Sequence, residues 1–232
     1  MNTMPLPPSV HQLERDLRGV FGARLESLVA YGLDVHGAAR TMALVTSVTE
    51  QDLRGCAAHV KAWHAASLAT PLIVPKNEFE RSLDAFPLEF AAIIASHVVV
   101  VGGRPFDRAT VKSTDLRRAC EVAARSHLLH LREGFVETGG NSHALAVLIV
   151  DSAAPLSALV TIVARLEGRG QIDPEAAGRH AEHVLGVPGG NIAGVVALTR
   201  VHEIPAAEAE RIFPPYLAAI ERLVEYIDRW HD

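Results

Sequence analysis

The sequence predicts an α+β protein: a mixed β-sheet with helices over residues 1–110, followed by a helical bundle over residues 111–232. Two observations predict it. Short apolar runs of strand length alternate with helical patterns up to about residue 107 and then stop. Beyond that point the apolar residues recur at helical spacing, in segments too long for strands. The boundary falls near residues 107–113. With 49% hydrophobic and 21% charged residues, 232 residues can fill the cores of two domains of ordinary size.

Each element follows from a local pattern. Leu13, Leu17, Val20 and Phe21 recur at helical spacing, which predicts an amphipathic helix over 8–23. "SLVAYG" and "TMALVTSV" read as strands, the first running into Gly32. Thr49 is an N-cap for a helix from Glu50 to about Ser67, with Glu50 and Asp52 in the first turn, where the helix dipole favours acids. "TPLIVP" is a third strand between prolines. "KNEFERSLDAF" and "PLEFAAIIA" predict two helices divided at Pro87, and "HVVVVGG" is a fourth strand.

The second half is helical throughout. "STDLRRACEVAARSHLLHLREGFVET" begins with a Ser/Thr cap and stops at "GGN". Ala144–Leu166 is apolar enough to test for a membrane span, but Asp151, Ser152, Pro155, Ser157 and Thr161 interrupt it. A carboxylate at mid-bilayer costs at least ~2.5 kcal/mol, so a buried helix at the bundle centre is the expectation. "DPEAAGRHAEHVLG" has Pro174 in its first turn, "GGNIAGVVALTRVH" predicts a short helix, and the last segment, from Pro205, is expected to bend or break at Pro214 and Pro215.

Composition removes several function classes. A net charge of -5, without a run of five like charges, offers no strong nucleic-acid signal. Cys56 and Cys120 lie far apart and are expected as free buried thiols in a reducing cytoplasm. The start "MNTMPLPPSV" lacks the basic-then-apolar order of a signal peptide, so a cytoplasmic location is the expectation. No P-loop, dinucleotide fingerprint, CxxC or Gly-x-Ser-x-Gly elbow occurs.

One hairpin, "LESLVAYGLDVHGAARTMALV", carries the most specific pattern: strand, Gly-x4-Gly turn at Gly32 and Gly37, strand. Together with "FPLEFAAIIASHVVVVGGRPF" and the Arg-bearing helix "DLRRACEVAARSHLLHLREGF", it resembles the DNA polymerase beta-like nucleotidyltransferases, among them the minimal and aminoglycoside nucleotidyltransferases. That resemblance implies an in-line attack at phosphorus assisted by two divalent cations about 3.5–4 Å apart. It also implies that an Asp-x-Asp pair on the strand after a Gly-Ser turn holds them, both side chains on one strand face.

The chain departs from that pattern at the reacting positions. Leu33 follows Gly32 in place of Ser, and Thr41 and Ala43 stand where the Asp-x-Asp pair should fall. From Val35 to Thr49 there is no acidic residue, and "TPLIVP" supplies none. His127 and Phe135 stand where the family often has Lys and Tyr. The resemblance therefore implies a nucleotidyltransferase-like protein that has lost its metal-binding motif, without cofactor, acting by binding a nucleotide, another small anionic ligand or a partner.

Two alternatives stay open. The first is an active, Mg-dependent enzyme using displaced carboxylates, Asp34 and Glu89. Asp34 also reads as a turn-forming Asx residue, and Glu89, among apolar neighbours, reads as a buried acid paired with an Arg. The second is a structural or antitoxin-like protein pairing through its helical half. The apolar stripe from Phe213 to Trp230 is compatible with a homodimer and equally with packing inside the chain. The ligand-binding candidates are Gly32, Leu33, Gly37, Arg40 and the stripe Arg118, Arg125 and Arg132, whose forks suit phosphates. The His127/His130 and His180/His183 pairs each share a helix face, but no third zinc ligand is identified.

Overall fold

A computed structural model of the chain describes residues 6–32, 38–107, 109–170 and 172–230. It divides into two compact units, residues 1–112 and 113–232. The α+β class expected from the sequence is the one observed.

In the first unit, α1 (Pro8–Phe21) opens with proline in its first turn, where the missing N–H has no intrahelical partner anyway. It buries Val10, Leu13, Leu17 and Phe21 along one face. Strand β1 (Leu25–Tyr31) pairs antiparallel with β2 (Arg40–Val45). It also pairs antiparallel with β4 (His97–Gly102), while β3 (Leu72–Pro75) lies parallel beside β2. The sheet order among the described residues is β3-β2-β1-β4.

Alternation along the strands divides the apolar side chains between two clusters. Leu28, Ala43 and Val45 join Leu13, Leu17 and Trp63. Val29, Met42 and Leu44 join Phe79 of α4 (Lys76–Ser82), Phe90 and Ile93 of α5 (Pro87–Ala95), and Phe106. A sheet covered on both faces explains why its strands read as almost unbroken apolar runs.

The helix expected from Glu50 to Ser67 is two helices, α2 (Glu50–Ala57) and α3 (Val60–Ala65). At the break the His59 N–H bonds to the Cys56 carbonyl, three residues back. Cys56 and Trp63 are both buried and two turns apart, so the hydrophobic period runs through the break and conceals it. Thr49 caps α2 as expected, but Asp52 does more than face a dipole. It accepts from the Thr49 backbone N–H at 2.9 Å and hydroxyl at 2.8 Å, and takes both prongs of Arg24 at 2.7 and 2.6 Å. The Arg24 guanidinium, with help from Thr49, holds the Asp52 carboxyl well below the usual range.

The second unit is built around α7 (Ser142–Leu166), which packs against α6 (Ser113–Glu137), α8 (Pro174–Leu185), α9 (Ala193–Ala197) and α10 (Ala206–Asp228). By length and composition α7 is apolar enough to cross a membrane. Here it buries Leu145, Ile149, Leu156, Val160 and Val163 inside the bundle. Asn141 caps it, accepting from the N–H groups of His143 and Ala144.

Of the bend or break expected at Pro214 and Pro215 the break does not occur: helix α10 runs on through both prolines. The two prolines withdraw donors only from the carbonyls of Glu210 and Arg211. These four residues are exposed, so water can satisfy the freed carbonyls. Meanwhile Phe213, Tyr216, Ala219 and Ile220 anchor the opposite face. The stripe from Phe213 to Ile227 is therefore largely buried within its own unit.

Candidate functional site

The strand register sets three polar side chains in one row at the Gly32 end of the sheet. Tyr31 on β1 stands opposite Arg40 on β2 and opposite His97 on β4, so the three share a face. Gly32, at φ 61, then turns the chain out of β1 in a left-handed conformation that a branched residue resists. Arg40 is exposed and Tyr31 is half-buried. Burial raises the Tyr31 phenol, the Glu89 carboxylate raises it further, and Arg40 opposes both. The charges of Glu89 and Arg40 are thus both felt at the phenol.

His97 is fixed in the same row. Its Nδ1 lies 3.1 Å from the carbonyls of both Ile93 and Ile94, so Nδ1 carries the proton and donates. The ring meets Phe106 edge-on at 4.7 Å. Nothing in the sequence singled out Tyr31 or His97. The signal available was positional: Tyr31 ends β1 and His97 begins β4, and antiparallel pairing brings them together.

The candidates read from the sequence divide between the units. Gly32 and Arg40 lie at this sheet end, while Leu33, Asp34 and Gly37 lie outside the described residues. Glu89 is exposed on α5, not buried as expected, because Pro87 and Phe90 take the inward positions of that short helix, and it has no ion pair among the described residues. Thr41 and Ala43 are buried, at 1% and 0% exposure. Ala43 packs among Leu13, Trp63 and Leu68, and the Thr41 hydroxyl has no hydrogen-bond partner among the described residues.

Arg118, Arg125 and Arg132 lie on α6 of the other unit. Arg125 meets Asp228 of α10 at 2.8 Å, and Arg132 meets Glu221 at 2.7 Å. Both spacings are seven residues, so these two arginines lace antiparallel helices together. Arg118 is exposed. Phe135 stacks on Phe213 at 4.6 Å. His127 faces inward and His130 outward, so that pair is divided between core and solvent. His180 reaches Glu167 at 2.5 Å.

Among the described residues, no three His, Cys, Asp or Glu side chains converge to hold a metal ion. An open hollow of about 360 Å³ lies at the other end of the sheet, lined by Thr46, Ser47, Asn77 and Glu78. The helical unit carries a larger groove of about 480 Å³ between α6 and α7.

No protein-family model matches the chain, and no curated protein matches it. Among solved structures it is similar to that of a spectinomycin adenyltransferase from Enterococcus faecialis, crystallised with ATP and spectinomycin. The TM-score is 0.58 at 11% sequence identity, over 95% of this chain and 98% of that one. At that identity the likeness is one of fold.

Proposed function

We propose that this protein is a nucleotidyltransferase-like binding protein that does not perform two-metal nucleotidyl transfer. The observation that carries this reading is the pair Thr41 and Ala43, at 1% and 0% exposure, on the strand where the resemblance calls for two carboxylates facing the phosphates. A hard divalent cation takes oxygen ligands, preferably charged ones. A buried methyl and a buried hydroxyl do not supply them, so the residues present do not fit the metal pair. If metal assistance is worth only ~4 kcal/mol, its loss is about a thousandfold in rate.

What remains is a place for an anion. Arg40 is exposed beside Tyr31 and has no ion pair among the described residues, unlike Arg125 and Arg132. Its fork, next to the left-handed turn at Gly32, suits a phosphate or carboxylate group. The test is calorimetric titration of the full chain with ATP and with GTP, each with and without excess Mg²⁺. Binding indifferent to Mg²⁺ and abolished by Arg40→Ala supports the reading. Binding that requires Mg²⁺, with transfer of label to an acceptor, overturns it in favour of an enzyme using Asp34 or Glu89. Absence of binding retires the nucleotide and leaves the helical unit as the functional surface.

A further inference from the structure

The groove between α6 and α7 is lined by apolar side chains, among them Leu131, Leu148 and Leu159, with Asp151, His130 and His127 set into it. Its volume, about 480 Å³, falls in the small-molecule range. His127 is 9% exposed and belongs to a hydrogen-bonded chain whose direction can be worked out. The Ser152 hydroxyl donates its one hydrogen to the Ile149 carbonyl at 2.7 Å. Tyr216 must then donate to Ser152, across 3.0 Å, and can only accept from His127, across 2.7 Å. The His127 proton therefore sits on Nε2, and Nδ1 is a bare acceptor with no partner among the described residues.

The surroundings of that acceptor select a ligand. Burial, and next the charge of His130, keep the His127 imidazole neutral, with its pKa lowered to about 4. One turn beyond Ser152 in α7, Pro155 lacks the N–H that would have met the Asp151 carbonyl, which leaves another acceptor at the same place as the exposed Asp151 carboxylate. The groove thus offers acceptors and negative charge above an apolar floor. Because no three potential metal ligands converge there, a metal ion does not answer that description.

We propose that this groove is a binding site for a small amphipathic ammonium, an apolar body bearing an N–H⁺ group held by Asp151 and the His127 Nδ1. The site lies wholly in the helical unit and is independent of the anion reading for the Gly32 end of the sheet.

The experiment uses the full chain and 2-phenylethylammonium as probe, followed by ligand-detected NMR and calorimetry at neutral pH. Two probes serve as controls: 2-phenylethanol has the same apolar body without charge, and the N,N,N-trimethyl derivative keeps the charge without an N–H. The expected order is the primary ammonium first, with both controls weaker by roughly tenfold or more. Asp151→Asn, at an exposed position, is expected to weaken the ammonium about tenfold and leave the alcohol unchanged. A second variant, Ser126→Trp, fills the groove from a half-buried position in its lining and is expected to abolish binding of all three. Equal binding of the three probes, equal binding to wild type and Asp151→Asn, or no saturable binding by about 10 mM overturns the proposal.

Discussion

Acidification should destabilise the helical unit through one histidine. His127 is 9% exposed in the α6–α7–α10 core, and its pKa is lowered from 6.5 to about 4. Above pH 6.5 the imidazole is neutral in both the folded and the unfolded chain, so its contribution to stability is full. As pH falls from 6.5 towards 4, the unfolded chain takes up a proton that the folded chain refuses, and stability is lost. The slope is about 1.4 kcal/mol per pH unit, so the whole interval is worth about 3 kcal/mol. The groups facing His127 are His130 on its own helix, Asp151 and Ser152 on α7, and Tyr216 on α10. None of them supplies a buried counter-charge, since Asp151 is exposed. The assay is urea unfolding at several pH values from 7.5 to 4.5, in a Trp63→Phe background so that Trp230 reports the helical unit. Subtracting the same series for His127→Gln removes the other titrating groups. The difference should shrink by about 2–3 kcal/mol across the interval. A difference that stays flat refutes the reasoning, and with it the claim that His127 is held neutral by burial.

Three further outcomes follow from single contacts. Glu182, 4% exposed, accepts from the N–H groups of Ile192 and Ala193 at 2.7 and 2.8 Å. Glu182→Ala leaves both donors buried and should cost about 3 kcal/mol by urea unfolding; a loss below ~1 kcal/mol contradicts that account. Gly102 has φ +91, and a Cβ there would lie 2.2 Å from the Glu26 carbonyl oxygen. Gly102→Ala should therefore destabilise by about 2 kcal/mol or more, while Gly103→Ala, with open space around it, stays within ~0.5 kcal/mol. Equal melting temperatures for the two variants would count against the close approach. Burial pushes the Cys120 thiol up to about 12 and also raises Cys56. A thiol reagent at pH 8 should modify neither until the chain is unfolded, whereas fast stoichiometric labelling of the native protein would contradict their burial.

Much of the local structure was legible because local chemistry causes it. Thr49 ahead of an acidic first turn marks a helix start, and Pro87 starts a helix because the residue before a proline avoids helical geometry. The break at Ala58–His59 was not legible, since the apolar period from Cys56 to Trp63 is the same with or without it. The continuity of α10 was not legible either. Two adjacent prolines argue for a break until the packing of Phe213 and Tyr216 is known.

For the candidate sites the division is sharper. The residue types at Gly32, Arg40, Thr41 and Ala43, and the lack of any acid from Val35 to Thr49, are facts of the sequence. Burial and partnership are not, because they depend on residues far apart in the chain. Glu89 turned outward when Pro87 and Phe90 took the inward positions, and Arg125 and Arg132 of the three-arginine stripe were taken up by acids some 90 to 100 residues away on α10. The His127–Tyr216–Ser152 chain joins three helices. Helical spacing placed Tyr216 in the apolar stripe of the last helix and His127 on one face with His130, but only the packing of α6, α7 and α10 brought the three polar groups within hydrogen-bonding distance. The sequence by itself determined the α+β class and most of the element order. The tertiary structure decided which polar groups are neutral, paired or open to a ligand, because desolvation and hydrogen bonding act between residues that the chain alone keeps apart.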